Sequence, residues 1–144
     1  MRKQNSILKI LAGLVGGILG YALVSSMYEA GRNKSRVAAY DSHISQEADS
    51  MNKKLPMMFD AETRLDKVAA GSGQIIYFFS LPNLAKTNLD LSVLQKSLQE
   101  NATANYKTNS KLGVDRANNT AMKYQYKDKN GELLFEFSVS PKDF

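Results

Sequence analysis

Asp60, Glu62, Arg64 and Asp66 are the only residues of this sequence whose types and spacing resemble a chemical site. On an extended strand, residues two apart project to one face. The outer carboxylates would then share a cation, or the Arg64 guanidinium would clamp an anionic group through its forked donors. A hard cation ordinarily takes more oxygen ligands than this segment supplies. The plainer expectation is structural: Arg64 bridges its acidic neighbours or docks the helix ending at Leu55, and is largely buried by them. Just upstream, Met57, Met58 and Phe59 form either an exposed, adaptive contact or a plug at one end of the core. Met57, Met58, Asp60, Thr63, Arg64 and Asp66 are therefore the candidate partner-binding or structural segment.

Other chemistry is poorly represented. The 144 residues include no Cys, which excludes disulfides, thiolate nucleophiles and Cys-ligated metals. The single His, His43, has no Ser or Asp partner for triad chemistry and reads as solvated. Ser25, Ser26 and Ser80 lie in no G-x-S-x-G context. There is no phosphate loop, zinc-protease or dinucleotide signature. No catalytic residue, cofactor or metal is expected. Tyr106, Tyr124 and Tyr126 alternate with Lys107, Lys123 and Lys127, a pattern that can stack bases between cations. The hairpin register below turns the tyrosines inward, so no nucleic-acid partner is expected. The net charge of +5 points the same way: residues 29–144 hold 16 of the 19 basic residues and all 14 acids, leaving only +2 there.

The N-terminus carries the strongest signal. Residues 10–28, ILAGLVGGILGYALVSSMY, are 19 consecutive positions without a charge. A helix of that length spans the hydrocarbon core of a bilayer, with Lys9 able to snorkel to the headgroups. Gly13 and Gly17, and likewise Gly16 and Gly20, are four apart, a small-residue stripe that would let a second copy pair through its helix. A cleaved signal peptide is the alternative, with Val24 and Ser26 as the small residues before the cut. The apolar run exceeds an ordinary signal core, which favours the anchor. Basic residues flank both ends, so orientation rests on the short basic tail of Arg2 and Lys3 staying in the cytoplasm. The expectation is a single-pass bacterial inner-membrane protein with its C-terminal domain in the periplasm; after signal cleavage it would instead be periplasmic or secreted.

The elements that must position the candidate segment can be read in turn. Residues 29–41 read as a juxtamembrane linker. Tyr40, Ile44, Ala48, Met51 and Leu55 recur at helical spacing, with Ser42 as N-cap and Pro56 as the stop. A strand over about 63–70 follows, then a turn at Gly71-Ser72-Gly73. The next strand, IIYFFSL at 75–81, is apolar on both faces and so reads as central and covered on both sides. Asn88 or Asp90 caps a second helix with Leu91, Leu94, Leu98, Ala102 and Tyr106 on one face. At Asn130-Gly131 a two-residue type I′ turn closes a hairpin pairing Met122 with Val139, Tyr124 with Phe137, Tyr126 with Phe135, Lys127 with Leu134 and Lys129 with Glu132. A one-residue slip would scramble its apolar face. The fold class is α+β: a transmembrane helix (1–28), a linker (29–41) and a small domain (42–144). The domain runs helix, two strands, helix, two strands, with a mainly antiparallel sheet packed on helices.

The segment Leu55-Pro56-Met57-Met58-Phe59-Asp60-Ala61-Glu62-Thr63-Arg64-Leu65-Asp66, with Ser140-Pro141-Lys142-Asp143 near the C-terminus, resembles a group of small bacterial exported or membrane-anchored proteins. Those proteins share an L-P-M-M-x-D-x-x-T-R-L-D segment and a terminal S-P-x-D hairpin. The resemblance implies no activity. It does imply that Tyr106 and Phe144 stand where relatives carry cysteines, so that an aromatic contact here would replace a disulfide.

A non-enzymatic, membrane-anchored envelope protein serving as an interaction or accessory module fits these features. Its partners would be the bilayer and an unidentified membrane or envelope protein. Two alternatives remain open: a small ligand-binding protein or enzyme using Asp60–Asp66, and an inhibitor or immunity factor of the kind mobile elements encode.

Overall fold

The computed structural model describes residues 34–144. The proposed membrane segment, its glycines Gly13, Gly16, Gly17 and Gly20, and its helix pairing lie outside the described residues. Among the described residues no helix is long and apolar enough to cross a membrane.

Helix α1 spans Lys34–Asn52, so residues 34–41, expected to be linker, form its first two turns and Ser42 is mid-helix. The cause is Tyr40, which continues the stripe of Ile44 and Ala48; all three are buried. Strand β1 is only Met57–Met58. Then come β2 (Arg64–Gly71) and β3 (Gln74–Ser80), α2 (Leu91–Thr108), a short α3 (Gly113–Ala117), β4 (Ala121–Lys127) and β5 (Leu133–Val139). Asp90 caps α2 by accepting from the Val93 amide, and Leu94, Leu98, Ala102 and Tyr106 are buried along it, as their spacing predicts.

The sheet has the order β1-β2-β3-β4-β5 and is antiparallel except for the parallel β3–β4 pair, which α2 connects as a crossover. β3 is central, as expected, but only one face is covered. Ile75, Tyr77 and Phe79 are buried beneath the helices, whereas Ile76 and Phe78 are half-buried on the open face. α1 packs on β2 and α2 on β5. Between them an aromatic ladder crosses three strands: Tyr77 stacks on Tyr124 at 5.4 Å and Tyr124 on Phe137 at 5.0 Å, beside Phe79 on Tyr126 at 4.9 Å and Tyr126 on Phe135 at 5.1 Å. Offset stacking of this kind adds to area burial.

From Met122↔Val139 to Tyr126↔Phe135 the hairpin register is the expected one. Beyond it the chain departs: Lys127 pairs with Leu133, not Leu134, and the turn is not type I′. The buried Asp128 carboxylate accepts from the amides of Asn130 (2.8 Å) and Glu132 (3.0 Å), while the Gly131 amide bonds to the Asp128 carbonyl. In this loop only Gly131 takes a positive φ, +81°. This is a type I turn followed by a left-handed glycine and a bulge. A second oxygen of Asp128 accepts from the Lys86 amide and holds the loop before α2.

β2 has an edge that β1 covers only at Arg64 and Leu65. Further along, the Asn52 side chain donates to the Val68 carbonyl (2.7 Å) and accepts from its amide (2.8 Å), standing in for a missing strand. At the C-terminus, Phe144 meets Tyr106 edge-to-face at 6.2 Å, with Lys107 Nζ 5.6 Å from the Phe144 ring centre. The aromatic contact expected between these two positions is thus present.

Candidate functional site

The candidate segment does not lie on one strand face. Asp60 begins a tight turn in which its Oδ1 accepts from the amides of Glu62 and Thr63, each at 2.7 Å, and the Phe59 amide bonds to the Thr63 carbonyl. A short acidic side chain that satisfies nearby amides competes with strand formation, which is why the alternation from Asp60 to Asp66 misleads. Thr63 is buried beneath this turn. Arg64 and Asp66 alone are on β2, and Arg64 Nε donates to Asp66 Oδ1 at 2.5 Å. The guanidinium is not enclosed by its partner: the two side chains are 41% and 31% exposed. Among the described residues no group of three or more His, Cys, Asp or Glu could hold a metal ion.

Met57 and Met58 diverge, as neighbours on a strand must. Met58 is exposed. Met57 turns into a cleft of about 270 Å³ where the end of α1 leaves the sheet. Met51 and Leu55 form one wall, Met57 and Phe59 the other, with Leu65 and Tyr77 beneath. Glu47, Ser50 and Lys54 supply its polar groups. The lining is mainly apolar and methionine-rich, a surface able to adapt to different side chains.

Of these polar groups Glu47 is engaged: His43, expected to be solvated, places its Nε2 2.9 Å from Glu47 Oε1, one helical turn away. The Tyr77 hydroxyl is buried and has no hydrogen-bond partner. Burial, with the negative charge of Asp115 adding to it, pushes this hydroxyl well above its ordinary pKa, so it stays a neutral donor and acceptor. An occupant reaching Tyr77 would relieve an unpaired buried group, which ordinarily costs ~1–3 kcal/mol.

The sequence could not have shown this cleft. Met51 and Leu55 read as helix stripe and Tyr77 as core strand, and only the turn at Asp60–Thr63 brings Phe59 back towards them. In the structure α1 ends at Asn52, so Leu55, expected on its stripe, lies beyond the helix and joins the cleft wall.

No family model and no curated protein matches the chain. Three solved structures share its fold. A candidate secreted protein from Pseudomonas aeruginosa superposes with a TM-score of 0.56 at 10% identity, covering 78% of this chain and 94% of that one. A pilotin of the Vibrio vulnificus type 2 secretion system gives 0.55 at 9%, covering 76% and 92%. A type II secretion system pilotin from Vibrio cholerae gives 0.54 at 12%, covering 77% and 94%. At these identities the likeness is one of fold, and it spans nearly the whole of each neighbour.

Proposed function

We propose that the protein is a non-enzymatic accessory module of the cell envelope that holds a partner protein through the cleft between α1 and β1. The cleft carries this reading. It is mainly apolar and lined by methionines, whose unbranched side chains adapt to a partner's surface. The fold supports it too, because two of its three structural neighbours are pilotins of secretion systems and the third is a candidate secreted protein. On this reading residues 10–28 hold the domain at a membrane, supported by their 19 charge-free positions. The Asp60–Asp66 segment supports the cleft wall instead of reacting.

Met57→Asp and Met51→Asp test the proposal. Each places a carboxylate in the apolar cleft at a position only partly buried, so the domain should still fold. Partner retention by the full-length chain in envelope membranes should fall at least tenfold. Undiminished retention by both folded variants would refute the cleft as the partner site.

A further inference from the structure

We propose a second site, an oxyanion-binding notch on the open face of the sheet, centred on Ser80. It goes beyond the partner cleft, since Ser80 and Tyr77 belong to opposite faces of β3. Strand register sets its geometry: Arg64 on β2 pairs with Ser80, and Ser80 pairs with Lys127 on β4. Residues paired in register share a face, so two cations flank one hydroxyl across three adjacent strands. Together with the hairpin loop at Lys129 and Gly131 they line a notch of about 380 Å³.

The Ser80 side chain is itself the second indication. The residue is 7% exposed, yet its Oγ has no hydrogen-bond partner. Buried hydroxyls ordinarily find one. Two carboxylates, Asp66 and Asp128, also line the notch, and both are engaged. Asp66 Oδ1 accepts from Arg64 Nε, which leaves the outer guanidinium nitrogens free of that contact. Asp128 is saturated by the amides of Lys86, Asn130 and Glu132. Burial raises its pKa, but those amides outweigh it and hold the carboxyl below its usual range, so it stays a satisfied anion with little to offer a cation. The notch thus presents one unpaired hydroxyl donor, the outer guanidinium N–H groups and two lysines. Their shared complement is a phosphate-type oxyanion, held by a charged fork on one side and an ammonium on the other.

Inorganic phosphate titrated into the full-length chain in a zwitterionic detergent, at constant ionic strength, tests the proposal by amide NMR. Saturable shifts should centre on Ser80, Lys127 and Gly131. The Arg64→Gln/Lys127→Gln double variant should weaken binding at least about tenfold, as loss of charged hydrogen bonds does. Ser80→Ala should weaken it several-fold while leaving Tm unchanged or raised, because it removes an unpaired buried group. A parallel titration with short-chain phosphatidylglycerol identifies the source: tighter binding than phosphate assigns the notch to a lipid headgroup, and weaker binding assigns it to a free oxyanion. Absence of saturable shifts at these amides, or equal affinity in the double variant, would overturn the proposal.

Discussion

Tyr40 on α1 donates a 2.5 Å hydrogen bond to Asp115 on α3, 75 positions later, in the interior of the protein. Thr120 donates to the Tyr40 hydroxyl at 3.0 Å, and the Tyr106 hydroxyl donates to the Thr120 carbonyl at 2.7 Å. One buried carboxylate thus pins the start of α1 to the segment that leads into β4. Burial, aided by the charge of Glu47, raises the Asp115 pKa from 3.8 to about 6, while the Tyr40 bond and Arg116 act against the rise.

This gives stability a defined pH dependence. A carboxyl whose folded pKa exceeds its unfolded value binds more protons in the native state. Its contribution is full below about pH 4 and is lost as pH rises through about 6. The change is on the order of 3 kcal/mol. Asp115→Asn keeps an acceptor for Tyr40 and should flatten that window. Urea unfolding of both proteins between about pH 4 and pH 7 checks it; identical pH profiles would contradict the assignment.

Phe137→Ala should destabilise the domain by ~3–5 kcal/mol, because it removes a rung of the aromatic ladder and leaves a cavity against Tyr124. Chemical denaturation measures the loss directly. Glu136→Ala, one position away and exposed, is the control and should cost little.

Asn52→Ala removes both hydrogen bonds to Val68 and bares the β2 edge. A loss of ~1–3 kcal/mol is expected. The variant should also self-associate more readily, since an uncovered edge invites strand pairing. Sedimentation and thermal melting read the two effects separately.

Asp60 and Arg64 should behave in opposite ways. Asp60→Ala strips two amides of their acceptor and should cost ~1–2 kcal/mol. Arg64→Ala breaks a partly exposed, solvent-screened ion pair, worth ~0–1 kcal/mol, so its melting temperature should barely move. A large loss from Arg64→Ala would restore the buried structural role that its spacing suggested.

Patterns that repeat along the chain were legible in the sequence. The alternation of Met122, Tyr124 and Tyr126 against Phe135, Phe137 and Val139 admits one register, and the stripes of both helices need only a 3.6-residue period. What escaped was local competition by short polar side chains. Asp128 redirects a turn that Asn130-Gly131 would close differently, and Asp60 folds a segment whose alternation imitates a strand. Asn52 guards an edge through a side chain that no periodicity reveals. The cleft escaped for another reason: it is built from residues of four elements, each with a sufficient explanation of its own.

In the proposed function the cleft, not the neighbouring surface, receives the partner. Met57 and Met58 test it because they are adjacent yet diverge, one into the cleft and one exposed to solvent. A photo-crosslinking amino acid placed at each position in turn, in the full-length chain in its own cells, gives the comparison. A discrete adduct with an envelope protein is expected from position 57 and little or none from position 58. Adducts from 58 alone, or none from either, would contradict it.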